Sequence, residues 1–275
     1  MSLNREDDMR IHIAGLFSAI LLAATGVAQA ETIKVGVVPG VYADSIEAVI
    51  PEAKAKGLDI QVVEFSDWTT PNIALQSGDI DVNYFQHQPF LNNAIKERGY
   101  DFVSAGIGVL ANIGIYSLKY KNFADVPQNG KVAIANDPVN QGRGLLLLQK
   151  AGLIKLKDGV GFKGTLDDIV DNPKKLTFNE VEGPQLARMT GDVDLAQGYP
   201  HFIVASKAFD PSSGLIYSGV DDKQFAIIFA VQKQKVNDAG IKELVALYQN
   251  SPAVRAAISK AFANDQKLYT LPWLN

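Results

Sequence analysis

Asn83, Tyr84, Phe85, Gln86 and His87 stand in one unbroken run, and Pro89 stops it two residues later. Two amides, two aromatic rings and an imidazole side by side offer flat apolar faces next to hydrogen-bond donors and acceptors. That is the chemistry of a pocket for a small molecule. The run follows Asp79-Ile80-Asp81-Val82, whose alternation predicts a half-buried strand. Open α/β sheets bind ligands beyond the carboxyl ends of their strands, which is where this cluster falls. The same residues could instead close an ordinary strand with its aromatics in the core, and the segment alone does not separate the two.

A second group lies around Arg143. Asn136-Asp137-Pro138 reads as the end of a strand and Arg143 as the start of the following helix. A guanidinium there can grip a carboxylate through two parallel hydrogen bonds, with the field of the helix N-terminus in support. The alternative is a surface Arg paired with an acid. Asn140 can donate or accept beside it, or simply cap the helix.

Little else in the chain suits catalysis. There is no Cys, which removes disulfides, thiolate chemistry and cysteine metal sites. The three His are His12, His87 and His201, and no metalloprotease, serine-hydrolase or phosphate-loop spacing occurs. Asp79 and Asp81 read as strand-edge solvation rather than as an acid–base pair. No enzyme activity, cofactor or metal is expected. A formal charge of -4 without a long basic run argues against nucleic acid as a partner.

The elements that must position these groups read as an α/β fold. Strands are predicted at Ile33–Val38 and Ile60–Phe65, helices at Ala43–Lys56, Pro71–Gln76 and Phe90–Arg98, and Gly57, Gly78 and Gly99 end the helices. A second series follows, with strands at Lys131–Ala135, Leu176–Val181 and Asp192–Ala196 and helices at Gly144–Ala151 and Gln185–Thr190. A strand at Ala226–Val231 and helices near Ile241–Gln249 and Ala253–Phe262 complete the chain. Ala74 to Val82 echoes Leu186 to Leu195, each a helix, a Gly and a strand opened by Asp-x-Asp. The echo predicts two lobes of similar build, unless two common helix–strand units coincide by chance.

Residues 1–30 read as an address. Ile11 to Ala24 is apolar, Arg10 precedes it, and Ala28-Gln29-Ala30 supplies the small residues a signal peptidase reads. The run is short for a membrane span, which needs roughly 20 apolar residues. Glu6, Asp7 and Asp8 are foreign to such a leader, so Met9 is the expected start and Glu31 the expected first mature residue.

The chain resembles the methionine-binding lipoprotein family of substrate-binding proteins for ABC importers, as a divergent member. The likeness is carried by Phe65-Ser66-Asp67-Trp68 with Pro71-Asn72, by Gly78-Asp79-Ile80-Asp81, and by Phe85-Gln86-His87 with Pro89. Its strongest block is Asn136-Asp137-Pro138 with Asn140 and Arg143, followed by Leu145 to Lys150 and Gly152 to Gly161. Asn172-Pro173 and Pro184-Gln185-Leu186 also match, so the likeness spans the mature chain.

The resemblance implies a two-lobed periplasmic-binding-protein fold of type II, with one ligand in the cleft. Lobe one would hold residues 31–110 and 220–275, and lobe two residues 111–219. It implies capture of methionine or a related amino acid or small carboxylate by lobe closure, then delivery to an inner-membrane ABC permease. A dipeptide, another amino acid, a sulfur compound, or a ligand-closing sensor role stay open. A monomer is expected. By this likeness Arg143 would hold the ligand carboxylate, with Asn140 beside it, and Phe85 and His87 would line the side-chain pocket. Trp68 would offer a flat face to an apolar or sulfur-bearing group, and Tyr84 and Phe90 would lie in the core or at the rim.

The departures bear on the ligand. Tyr199 and Ile227 stand where the family carries two Asn that help hold the amino-acid head group. Tyr199 and His201 are candidates for new polar contacts there, and Ala111 and Gly108 are expected to widen the cleft. Family members commonly bear a lipidated Cys at the mature N-terminus. None is present here, and a freely diffusing secreted protein is expected.

Overall fold

Residues 31–274 are described in a computed structural model. The expected leader lies outside them. The first strand, β1 (Glu31–Val37), buries Ile33, Val35 and Val37 and exposes Thr32 and Lys34 between them, the period-2 pattern of a strand with one face in the core. Its chain turns at Pro39-Gly40 into α1 (Val41–Ala55) and returns as β2 (Leu58–Glu64). Then come α2 (Thr70–Ser77), β3 (Val82–Tyr84), α3 (Gln88–Arg98) and β4 (Phe102–Ile107). Gly78 and Gly99 end α2 and α3 in the left-handed region, φ 82° and 72°, where a residue without Cβ carries no steric cost.

A short β5 (Leu110–Ala111) leads into the second half. There β6 (Gly114–Tyr116), β7 (Lys131–Ala135) and α4 (Pro138–Lys150) precede a small hairpin of β8 (Lys155–Leu156) and β9 (Ile169–Asp171). β10 (Thr177–Val181), α5 (Leu186–Met189), β11 (Leu195–Gly198), α6 (Pro200–Ser206) and β12 (Ile216–Tyr217) follow. The chain then crosses back as β13 (Ile228–Gln232), α7 (Ala239–Asn250), α8 (Pro252–Ala261) and β14 (Tyr269–Thr270), which pairs with β5.

Two five-stranded sheets result, β2-β1-β3-β13-β4 and β10-β7-β11-β6-β12. In each, three parallel strands meet an antiparallel neighbour on the same side: β13 beside β3, β6 beside β11. The fold is the two-lobed α/β architecture.

The internal echo has a structural counterpart. Asp81 exchanges two hydrogen bonds with the backbone of Lys34: its N–H donates to the Lys34 carbonyl at 2.9 Å and its carboxylate accepts from the Lys34 N–H at 2.9 Å. Asp194 does the same with Lys131, at 2.9 and 2.7 Å. Each second Asp of Asp-x-Asp therefore clips the turn to the neighbouring parallel strand, β1 or β7. For the same reason both strands start later than expected, at Val82 rather than Asp79 and at Leu195 rather than Asp192. The carboxylate uses the backbone donor that a ladder would otherwise take.

One boundary changes the reading of the candidate site. The helix expected from Gly144 begins at Pro138, with Asp137 as its cap accepting from the Asn140 N–H at 2.9 Å. Proline is pre-organised for the first helical turn, and the Asp satisfies an orphan amide. Arg143 accordingly lies in the second turn of α4 and not at its start, so the helix-terminal field is not what recommends it.

Candidate functional site

The carboxyl ends of β1 and β3 in one sheet and of β7 and β11 in the other face a common cleft. Tyr42 enters it from the first turn of α1, and Trp68 from the loop before α2. Phe85, Gln86 and His87 enter from the end of β3. Asn140 and Arg143 project from α4, Tyr199 from the cap of α6, and Phe225 and Ile227 from the segment crossing back before β13. Ala111, Ile113 and Phe90 complete the wall.

A closed set of amides holds the floor. Gln86 Nε2 donates to Asn72 Oδ1 at 2.7 Å and to Asn83 Oδ1 at 2.8 Å. Asn72 Nδ2 returns a bond to Gln86 Oε1 at 3.1 Å, and Asn83 Nδ2 donates to Asn72 Oδ1 at 2.9 Å. All three are buried. A satisfied buried network specifies one arrangement, and this one fixes the segment that carries Phe85 and His87.

His87 has one tautomer here. Its Nδ1 accepts from the Phe90 N–H at 3.2 Å as the cap of α3, so the proton sits on Nε2 and is donated to Asn140 Oδ1 at 3.2 Å across the cleft. Burial, with the nearby Arg143 charge, pushes the imidazole down to about 3, so it stays neutral.

Arg143 is 8% exposed. Its Nη1 donates to the same Asn140 Oδ1 at 3.1 Å, and its guanidinium lies 4.1 Å from the centre of the Phe225 ring. No carboxylate forms an ion pair with it among the described residues. Asp137, whose charge reaches it, gives its oxygens to the N–H and the side-chain amide of Asn140. Burial lowers the Arg143 pKa, yet a guanidinium stays charged in a protein. The result is a buried cation with most of its donors unspent among the described residues and a cleft in front of it.

Trp68 packs edge-on against Phe90 and Tyr199, with ring centres 6.2 and 5.5 Å away. Its far edge rests on Gly183 of the other lobe, where a Cβ would overlap the indole. Its Nε1 is buried without a hydrogen-bond partner among the described residues. The Tyr199 hydroxyl accepts from Gln197 Nε2 at 3.3 Å, and burial raises its pKa well above the usual range.

The cleft thus brings together Arg143, Phe85, His87, Trp68, Asn140 and Tyr199. His201 is placed elsewhere. It is 1% exposed behind the wall, among Tyr42, Phe202 and Phe262, and neither ring nitrogen has a partner among the described residues. The second helical position of α6 turns it away from the ligand side and into the contact between the lobes. Gly108 does not widen the cleft either, because the Tyr84 ring occupies the space a Cβ would need. Tyr84 is a core residue, its hydroxyl 2.6 Å from that of Tyr248.

Sequence reasoning named Gln86 in the cluster without assigning it to the site, and passed over Tyr42, Ile113 and Phe225. Tyr42 follows β1 at its carboxyl end, the same signal that singled out the end of β3, and was legible on that ground. Phe225 is placed by the crossing segment alone and carries no local signal.

Known proteins place this chain. A family model described as NlpA lipoprotein matches residues 33–269. The D-methionine-binding lipoprotein MetQ of Escherichia coli (strain K12) is 41% identical over 244 residues, 86% of this chain and 89% of that protein. A nutrient binding protein from Burkholderia cenocepacia, solved bound to methionine, superposes with a TM-score of 0.78 at 39% identity, covering 87% of this chain and 99% of that one. A periplasmic substrate-binding protein of an ABC transporter from Coxiella burnetii gives 0.78 at 36% identity, covering 84% and 97%. These names correct one expectation. The matched family and the MetQ relative are lipoproteins, a lipid-anchored class, so the reading of a freely diffusing secreted protein is withdrawn.

Proposed function

Because the chain belongs to the NlpA lipoprotein family, we propose that its inter-lobe cleft captures methionine or a related amino acid or small carboxylate for an ABC importer, with Arg143 holding the ligand's anionic head. The chain is a substrate-binding protein and not an enzyme. The observation that carries the Arg143 assignment is its burial in the cleft without a carboxylate partner among the described residues. A desolvated cation is costly, and a ligand carboxylate offsets that cost through charge-assisted bonds.

Lobe one is assigned residues 31–110 and 220–275, and lobe two residues 111–219. The partition of strands between the two sheets supports this division. Contacts that span the cleft include His87 to Asn140, Trp68 over Gly183 and edge-on to Tyr199, Tyr42 on His201 at 4.9 Å, and Arg143 on Phe225. A ligand bridging Arg143 to the aromatic wall of lobe one adds to these and biases the lobes towards closure. A monomer that offers its closed form to an ABC permease is the working unit in this proposal.

Calorimetric titration of the purified protein with methionine and with small carboxylates tests it. Binding that disappears in Arg143→Ala is expected. Binding indifferent to that change would remove Arg143 from the site.

A further inference from the structure

We infer that this cleft is built for a small monoanion, a carboxylate or sulfonate on an apolar body, that carries no ammonium group. This rests on the cleft being the ligand site and concerns which molecules it prefers.

The wall contains one cation, Arg143, and no carboxylate. Asp137 is spent on Asn140, and Asp222 lines a neighbouring cavity that Arg143 and Phe225 also line, its charge reaching Arg143 without an ion pair among the described residues. A zwitterion would leave its ammonium facing a positive wall, whereas a monoanion neutralises it.

The unspent polar groups are mostly donors. Arg143 has four N–H beyond its bond to Asn140. Trp68 Nε1 has a buried N–H without a partner among the described residues. The Tyr199 oxygen already accepts from Gln197, which leaves its proton to give.

The acceptors, by contrast, already take hydrogen bonds. Asn140 Oδ1 takes both His87 and Arg143, and Gln86 Oε1 takes Asn72. Four backbone carbonyls on the wall are engaged as well. Those of Gln86, Asn140, Tyr199 and Ile227 accept from Ile228 N, Gln197 Nε2, Phe202 N and Gly108 N at 2.9, 2.9, 3.0 and 2.7 Å. Among the wall side chains, the Tyr42 hydroxyl is the oxygen that accepts no bond among the described residues, against the three N–H of an ammonium. Ile227, one of the wall residues, contributes only methyl and methylene groups. Phe85, Phe90, Trp68 and Ile113 supply the apolar surroundings for the body of the ligand.

The test is calorimetric titration of the whole protein, first freed of bound molecules by unfolding and refolding. The probes are L- and D-methionine, 4-(methylthio)butanoate, and 3-(methylthio)propane-1-sulfonate, with Arg143→Ala as the control. The expected result is that at least one ammonium-free anion binds about tenfold or more tightly than either methionine. The carboxylate and sulfonate arms then tell which head group is preferred. Ile227→Asn, which restores an amide acceptor, should narrow the ratio. Methionine binding as tightly as, or tighter than, both anions, with loss in Arg143→Ala, overturns this inference and leaves the proposed function standing. A folded wild type that binds none of the probes overturns both. The wild-type comparison decides the matter even where a variant fails to fold.

Discussion

His87 and His201 are both buried imidazoles pushed down to about 3, His87 by burial and the Arg143 charge, His201 by burial alone. In the unfolded chain each titrates near 6.5. Below that value the unfolded state takes up protons that the folded state refuses, so stability falls as the pH drops from about 6.5 towards 3. Each histidine contributes up to about 1.4 kcal/mol per pH unit in that window. His201 has no hydrogen bond among the described residues to lose. His201→Phe should therefore flatten this dependence and raise stability at neutral pH by about 1–3 kcal/mol, as measured by urea melts across the window. A variant less stable than wild type, with an unchanged pH slope, would contradict the description of His201 as an unpaired core group. In the sequence His87 and His201 look alike, each next to aromatics and a Pro. Only the neighbours that each helix start brings in tell them apart.

At the scale of elements, the two Asp-x-Asp turns make a matched pair. Asp81 and Asp194 each accept from the backbone of the first lysine on the neighbouring parallel strand, β1 or β7, and each also meets a lysine side chain, Lys235 at 2.6 Å and Lys119 at 3.3 Å. Loss of the carboxylate leaves the strand's N–H without its acceptor. Asp81→Ala and Asp194→Ala should each cost about 1–3 kcal/mol in chemical unfolding while leaving ligand affinity within about twofold. A loss of affinity without loss of stability would return these residues to the site. The elements themselves were largely legible. Alternating strands and glycine stops located β1, β7, α1, α2, α3, α5, α7 and α8 to within a few residues, while α6 was missed. The starts of α4, β3 and β11 were not legible, because a proline and two capping carboxylates moved them, and a capping carboxylate reads in sequence as one more polar residue. The crossing back of β13 into the first sheet is a long-range pairing that no local pattern announces.

For the whole molecule, function depends on the lobes meeting over a ligand. Gly183 has an ordinary backbone conformation, so its only demand is space for the Trp68 ring. Gly183→Ala should hold the lobes apart there, weakening ligand binding by about tenfold in a titration while leaving the melting temperature of the ligand-free protein nearly unchanged. Equal affinity in the variant would show that this contact is not part of closure. The two-lobed plan was legible from the internal echo and the family resemblance, and the lobe contacts through Tyr42, Gly183 and Phe225 were not, since each joins residues far apart in the chain. The central claim is that Arg143 is buried for the ligand's sake and not for the fold's. A buried cation without a carboxylate partner among the described residues costs stability, so an apolar side chain of similar length should suit the empty protein at least as well. The measurement is a paired one on Arg143→Met: the melting temperature without ligand, and calorimetric titration with the tightest-binding small anion. The account predicts a melting temperature equal to or above that of the wild type and affinity lower by about a hundredfold or more. A variant that melts well below the wild type yet binds the anion as before would contradict it.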